Sequence, residues 1–236
     1  MWAINSAGDE ASPQELLERM HAVDIHSTHL AMRDGLIHNL EESLSVLSRS
    51  TRDRFGTAVE PAHLAPALLA AAARTDGEYE LRTDVFRPAD DDAPRVLVVG
   101  REHPTRLPGE PVAVAMSHEH RAIADPGGAS FCFVSNGRYF WPDSAPQHSV
   151  TAMVMCDRLR DTGYRSVRLD VPVADIGAFD SVFLVTVFGP VPVCSLDDQE
   201  YSISQADADI LMTAFDSGPW VAPSSRGALT SPRVVH

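Results

Sequence analysis

Predicted helices and strands occur in groups along this 236-residue chain, and their order limits the folds that the chain can adopt. Apolar periodicity predicts two successive helices at residues 39–55 and 61–74, followed by three strands at 79–86, 95–100 and 111–117. A doubly wound sheet requires strands and helices to alternate along the sequence. We therefore predict an α+β fold.

The second half of the chain contains another mixture of strands and helices. Strands at 129–134 and 138–141 flank an Asn-Gly pair, which favours a tight hairpin turn. An amphipathic helix at 147–160 and a last helix at 204–215 follow, with short strands between them.

These patterns predict two domains and a tail. The domains are expected at residues 1–108 and 109–216. The tail at 217–236 is rich in Ser, Pro and Gly and has little periodicity, so we expect it to be loosely held.

Every basic side chain other than histidine is an arginine, since the sequence contains 19 Arg and no Lys. The chain therefore has no lysine for a Schiff base, for a phosphate-binding P-loop or for general-base catalysis. With 33 acidic residues the formal net charge is −14, which repels nucleic-acid phosphates and anionic membrane surfaces. We expect a small-molecule substrate, and neither nucleic acid nor a membrane as a partner.

The cysteines also limit the class of protein. Cys132, Cys156 and Cys194 are odd in number and widely spaced, which indicates neither a disulfide framework nor a zinc site. The longest apolar run, 64–73, is too short to span a membrane, and residues 1–11 lack the pattern of a signal peptide. We expect a cytoplasmic protein with free thiols and no bound metal.

Four sequence blocks occur in the order found in a known enzyme family. They are residues 30–35 with the helix after them, 131–141, 150–163 and 175–193. Together they resemble the Arg-Asp-Gly turn, the central hairpin, the helix after it and the last strands of the fold-type-IV pyridoxal-phosphate (PLP) family. This family includes the class-IV aminotransferases and aminodeoxychorismate lyases. The resemblance implies a two-domain α+β fold with a shortened second domain, and a homodimer.

The residues with which this family holds its coenzyme are largely replaced here. The resemblance implies a lysine that forms the internal aldimine with the coenzyme, but this chain has none. Val46 stands where the family has the arginine that clamps the phosphate, and Ser43 stands where it has a histidine. Ser149 and Ala152 replace a glycine and an arginine at a helix start, whereas Thr186 keeps a phosphate-binding position. A phosphate requires N–H donors or fixed cations. We therefore predict that the protein uses no cofactor.

The predicted strand at 79–86 carries an unusual set of charged residues. Period-two alternation places Glu80, Arg82 and Asp84 on one face. An arginine can hold a substrate carboxylate through two hydrogen bonds, and a neighbouring carboxylate can transfer protons. A solvated face on an edge strand would carry the same pattern. Glu80 is thus a candidate catalytic residue and Arg82 a candidate substrate-binding residue.

Five further residues complete the candidate site, each with a structural alternative. Glu102 ends the next strand, where desolvation would raise its pKa into the range of an acid–base catalyst, although a surface ion pair is equally compatible. His118, in a His-Glu-His run, is a second catalytic candidate or an ordinary loop residue. His29 lies in the strand that the resemblance places along the substrate pocket. Trp141 would stack on an aromatic substrate or pack in the core, and Thr151 would bind a carboxylate or cap a helix.

A scaffold of this family without its cofactor also resembles the bacterial Pictet–Spengler cyclases of β-carboline alkaloid biosynthesis. This resemblance implies a homodimer that condenses a tryptophan-like amine with an aldehyde. Glu80 or Glu102 would then move the protons, Arg82 would hold the carboxylate and Trp141 would stack the ring. Two alternatives remain open: a non-catalytic protein that binds a small carboxylate or a protein partner, and a cofactor-free lyase of a chorismate-like acid.

Overall fold

The computed structural model describes residues 1–74, 76–89, 91, 93–102, 112–114, 129–143 and 149–224. The strands are β1 (Trp2–Asn5), β2 (Asp24–Arg33), β3 (Leu36–His38), β4 (Glu78–Arg87), β5 (Arg95–Glu102), β6 (Val112–Val114), β7 (Ser130–Ser135), β8 (Arg138–Pro142), β9 (Arg165–Leu169), β10 (Ser181–Thr186), β11 (Gly189–Leu196), β12 (Gln199–Glu200) and β13 (Trp220–Val221). The helices are α1 (Pro13–Met20), α2 (Leu40–Phe55), α3 (Pro61–Arg74), α4 (Val150–Asp161) and α5 (Gln205–Asp216), with a 3-10 helix at Val173–Ala178. The predicted α+β class is confirmed.

The chain divides into two compact units. The first is formed by Met1–Pro104 together with Pro219–His236, and the second by Thr105–Gly218. The first unit therefore includes the end of the chain as well as its beginning.

The first unit is built on an antiparallel sheet whose described strands have the order β1-β5-β4-β2-β3-β13. Leu30 in β2, Leu81 in β4 and Val98 in β5 are buried on one face, where they pack with Leu47 of α2 and Leu68 of α3. The residues that alternate with them in β2 and β4 are mostly polar or charged. The opposite face of the sheet is consequently a polar face.

Two local motifs fix the chain on either side of β2. Ser12 caps α1, since its hydroxyl accepts from the Glu15 backbone N–H and the Glu15 carboxylate accepts from the Ser12 N–H. Asp34 and Gly35 have φ values of 49° and 75°, as a tight hairpin turn requires. Asn39, in contrast, makes no capping hydrogen bond with its side chain, because it lies in the left-handed region at φ 50°.

The first part of the predicted tail is not loosely held. Trp220 and Val221 form β13, which pairs with Ile37 and His38 of β3. The centroids of the Trp220 and His38 rings lie 4.8 Å apart. Cζ of the Arg33 guanidinium lies over the Trp220 ring, 4.8 Å from its centroid. Aromatic and cation–π contacts therefore anchor a strand too short to be visible as periodicity. Residues 225–236 lie outside the described part of the chain.

The second unit contains a mixed sheet. Its described strands have the order β12-β11-β10-β7-β8-β9, and β6 pairs in parallel with β11. The predicted Asn-Gly turn joins β7 to β8, with φ values of 51° and 67° at Asn136 and Gly137. Met155 of α4 and Phe215 of α5 pack with Phe183 of β10 in one of its two apolar clusters.

Cys132, Cys156 and Cys194 are free thiols, the first two buried. Among the described residues, no helix is both long enough and apolar enough to cross a membrane.

Gly100 in β5 lies directly against the indole ring of Trp2 in β1. A Cβ atom at position 100 would lie 2.1 Å from Cζ2 of Trp2, far inside van der Waals contact. We expect Gly100→Ala to lower the free energy of unfolding by about 1–3 kcal/mol, because the indole must leave its packed position. Urea unfolding followed by fluorescence measures this change. In a Trp2→Ala background the same substitution should have a much smaller effect, and an equal effect in both backgrounds would contradict the steric explanation.

Candidate functional site

A cluster of charged side chains lies on the polar face of the first sheet, where β2 and β4 run side by side. The pairing register sets His29 opposite Arg82 and Ser27 opposite Asp84. Glu80, Arg82 and Asp84 alternate with the buried Leu81 and therefore share this face, as the sequence predicts.

The imidazole of His29 is hydrogen-bonded to Glu80. Its Nδ1 lies 2.7 Å from Oε1 of the carboxylate, and the two side chains are only 19% and 15% exposed. An ionised carboxylate only accepts hydrogen bonds, so Nδ1 carries the proton and donates. Among the described residues none bonds to the other ring nitrogen, Nε2. This orientation leaves Nε2 as the atom that can give or take a proton.

The other oxygen of Glu80 accepts from Arg101 in β5. Nη2 of Arg101 lies 2.5 Å from Oε2, and Arg101 stands opposite Glu80 in the register of β4 and β5. The hydrogen bond from His29, with a further one from Arg101, lowers the pKa of Glu80 to about 2. The carboxylate is therefore ionised at neutral pH and a very weak base. The prediction that Glu80 itself shuttles protons is thus corrected: its geometry suits it to orient His29.

The lowered pKa of Glu80 predicts a pH-dependent contribution to stability. Its ordinary value is 4.5 and its folded value about 2, so the unfolded chain binds the proton more tightly than the folded one. The contribution is complete above about pH 5 and disappears as the pH falls towards 2. We expect the difference in unfolding free energy between wild type and Glu80→Gln to be constant near neutrality and to shrink over this acidic window. Denaturant unfolding at a series of pH values measures it, and a difference independent of pH would contradict the assignment.

Arg82 and Asp84 form the second part of the cluster. The Asp84 carboxylate is fully buried and accepts from Ser27 Oγ at 2.6 Å, from Arg19 Nε at 2.9 Å and from Arg82 Nε at 3.2 Å. Arg19 belongs to α1, so this carboxylate ties the helix to the sheet. Arg82 is 39% exposed and uses only Nε in these contacts, as far as the described residues extend. Within the described part of the chain no residue bonds to its two Nη groups, so these groups can hold a carboxylate ligand.

Glu102 does not join this cluster. It pairs with Tyr79, which packs with the apolar core, and so it lies on the sheet face opposite Glu80. Its side chain is exposed, so the desolvation expected at this strand end is absent from its described surroundings. The structure therefore corrects its assignment as a proton shuttle.

The remaining predicted residues belong to the second unit. Trp141 is only 3% exposed, packs in an apolar cluster and donates from Nε1 to Ser166 Oγ at 2.9 Å. This position assigns Trp141 to core packing and not to stacking on a substrate. Thr151 is buried in the first turn of α4, whose cap is the Ser149 hydroxyl. His118 lies outside the described residues.

His26 and His29, three positions apart in β2, lie on opposite faces of the sheet. His26 is buried on the helix side, with Nε2 2.7 Å from Ser50 Oγ in α2. Burial is the main reason that the pKa of His26 is lowered, with a smaller effect from Arg54. His26 is thus part of the packing between sheet and helix. Within the described part of the chain, no group of three His, Cys, Asp or Glu side chains is arranged to hold a metal ion.

The contributions of Arg101, Arg19 and Ser27 are missed by the sequence reasoning. Arg101 would have been found by continuing the alternation of β5, because Val96 and Val98 face the core and odd-numbered positions therefore face the polar side. No comparable signal exists for Arg19, because a helix packed on a sheet has no fixed register with it.

Comparisons with known proteins find similarity in structure alone, since no family model and no curated protein matches the sequence. The PLP-bound form of a hypothetical aminotransferase from Mycobacterium tuberculosis has a TM-score of 0.71 at 14% identity, covering 92% of this chain and 99% of that one. A branched-chain aminotransferase from Thermoproteus uzoniensis gives 0.70 at 13%, covering 91% and 93%. A fold IV transaminase from Curtobacterium pusillum gives 0.64 at 16%, covering 90% and 97%.

PLP does not fit the residues of this chain in the way that the family resemblance would require. The whole sequence contains no lysine that could form the covalent link. In the positions assigned to the phosphate, Val46 and Ala152 are apolar, Ser43 is buried, and the Thr186 hydroxyl donates to the Gly189 carbonyl at 3.0 Å. The chain therefore has the fold of the fold-type-IV aminotransferases without the lysine on which their coenzyme linkage depends.

Proposed function

We propose that this protein is a cofactor-independent enzyme in which His29 transfers protons while Glu80 orients it, and that its reaction is a Pictet–Spengler-type condensation. The observation that carries the proposal is the hydrogen bond from Nδ1 of His29 to Glu80, which leaves Nε2 without a described partner. A base oriented by a carboxylate in this way is an arrangement suited to general acid–base catalysis. It needs neither lysine nor coenzyme.

Arg82 provides a binding position for a carboxylate beside this histidine. Because His29 and Arg82 are directly opposite in the register, their Cβ atoms are expected to lie about 5 Å apart on the same face. An amino acid whose carboxylate is held by the Nη groups of Arg82 would therefore place its amine within reach of Nε2 of His29. This supports an α-amino acid as one substrate.

The condensation can be written with this one histidine as acid and then as base. The amine adds to the aldehyde carbon to form a carbinolamine. Protonated His29 donates from Nε2 to the hydroxyl, which leaves as water and gives an iminium ion. The indole carbon attacks this ion and closes the new ring, and Nε2, now neutral, removes the ring proton to restore aromaticity. The histidine ends as it began, and the net change is the loss of one water.

The test is a mass-spectrometric assay of the purified protein with tryptophan and a series of small aldehydes. The expected result is a product with the summed mass of both substrates less one water, enriched in one stereoisomer at the new carbon. The reaction without protein supplies the control, since this condensation has an uncatalysed background that lacks stereochemical preference. The absence of any product above that background would contradict the proposal.

The same experiment separates the proposed enzyme from a carboxylate-binding protein without activity. Thermal stabilisation by tryptophan with no turnover of any aldehyde would favour binding alone, because Arg82 could hold a carboxylate without any proton transfer. A chorismate-like acid would call for a more basic face, whereas the arginines of this face are balanced by Glu78, Glu80 and Asp84.

A further inference from the structure

We infer that Arg101 is a positioning residue that sets the base strength of His29 through Glu80; this rests on the role of His29 in the proposed function. Three groups form an unbranched chain across three strands. Nη2 of Arg101 contacts Oε2 of Glu80, and Oε1 of the same carboxylate contacts Nδ1 of His29. Each oxygen thus has one cationic or imidazole donor.

The first effect of this chain is geometric. A carboxylate that is free to rotate about its last bond would present either oxygen, or neither, to Nδ1. Because Arg101 holds Oε2, the plane of the carboxylate is fixed and Oε1 stays directed at the imidazole. The tautomer of His29 with a free Nε2 is stabilised in consequence.

The second effect is electrostatic. The charge of Glu80 stabilises protonated His29, and the charge of Arg101 partly cancels that effect. Among the described residues, the other charged groups on this face are Glu78, Arg82 and Asp84 on β4, Arg33 on β2, Arg95 on β5, and Glu18 and Arg19 on α1. All of these seven take part in ion pairs with one another, so they contribute less field at the imidazole than the directly connected pair. Among these groups, Arg101 is therefore the one whose charge most specifically affects His29 through Glu80.

The exposure of Arg101 argues against a mainly structural role. Its side chain is 67% exposed, and exposed ion pairs contribute little to folding stability. The bond to Glu80 is the only described contact of its guanidinium. The bond from Arg101 therefore acts mainly on the Glu80 carboxylate, and through this carboxylate on His29.

The test compares Arg101→Gln with Arg101→Lys and with Arg52→Gln, a control at an exposed arginine of α2 that has no described ion pair. The titration of the His29 ring protons is followed by NMR without substrate, with His29→Gln identifying the signals. In Arg101→Gln the titration midpoint should rise by about 0.5–1 pH unit. Lysine should restore most of the original midpoint, and the control should leave it unchanged.

A second readout connects this shift to catalysis. Because the free enzyme must carry a protonated His29, the alkaline limb of the pH dependence of kcat/KM for the condensation should move upward by the same amount in Arg101→Gln and return in Arg101→Lys. An unchanged His29 midpoint in Arg101→Gln would overturn the inference. A shifted midpoint in a protein that forms no product with any aldehyde would support the inference about Arg101 and contradict the proposed function, so the two failures are distinguishable.

Discussion

Replacing His29 with glutamine is expected to lower kcat/KM for the condensation by about 10²- to 10⁴-fold, the range typical of a lost general acid–base group. KM for the amino acid should change little, because in the proposed complex Arg82 and not His29 holds the carboxylate. Glutamine can still donate a hydrogen bond from its amide nitrogen to the Glu80 carboxylate, so the sheet should remain intact. Steady-state kinetics with tryptophan and the best aldehyde measure the effect.

His63→Gln is the matched control for this prediction. His63 is an exposed histidine of α3, a helix that packs on the other face of the same sheet. Its replacement removes an imidazole without touching the polar face, and activity should stay at the wild-type level. If His29→Gln retained full activity while His63→Gln did too, proton transfer by His29 would be excluded.

The largest effect on stability is expected for Asp84→Asn. The fully buried carboxylate accepts from Ser27, Arg19 and Arg82 at once. Removing its charge leaves two arginines without their buried partner, which typically destabilises by about 3–5 kcal/mol. Both guanidinium groups reach solvent, being 26% and 39% exposed, so we expect a loss of about 3 kcal/mol.

Urea unfolding of Asp84→Asn measures this loss, and Asp53→Asn, at an exposed position of α2, is its control. The double variant Arg19→Gln with Asp84→Asn should lose less than the sum of the single variants, because both remove the same interaction. A change below 1 kcal/mol for Asp84→Asn would mean that α1 is held to the sheet by other contacts.

The sequence predicts the repeating features of this fold well. The alternation of β4 is enough to place Glu80, Arg82 and Asp84 on one face, and the pairing register confirms it. The capping box at Ser12 and the turn at Asp34 can also be recognised in the sequence, because both depend on residues close together in the chain.

The choice of partner within the site is not predictable from one strand. His29 stands opposite Arg82 in the register but bonds diagonally to Glu80, a choice that depends on side-chain rotamers and on the competing bond of Arg82 to Asp84. Glu102 is a predicted proton shuttle at the end of β5, yet this strand continues regularly to its end and alternation turns the residue away from Glu80. Arg101, one position earlier, is the residue that reaches Glu80.

The positions of two tryptophans also differ from what the sequence predicts. Trp141 has the amphipathic chemistry of a substrate contact, but Ser166 satisfies its N–H inside the core. Trp220 lies in a segment without periodicity, and its strand is held by contacts with His38 and Arg33 that are distant in sequence. Neither outcome is encoded in the neighbouring residues.

The absence of lysine is the sequence feature that most directly separates this chain from the aminotransferases whose fold it has. The charged face of the first sheet offers acid–base chemistry that does not depend on lysine. We therefore propose that the protein turns over its substrates with its own side chains.

The measurement that tests this claim most directly is the initial rate of product formation from tryptophan and an aldehyde, with and without added PLP, for wild type and His29→Gln. We expect wild-type protein to be equally active in both conditions, and His29→Gln to be slower by about 10²- to 10⁴-fold in both. An activity that requires added PLP, or that survives the loss of His29 unchanged, would contradict it.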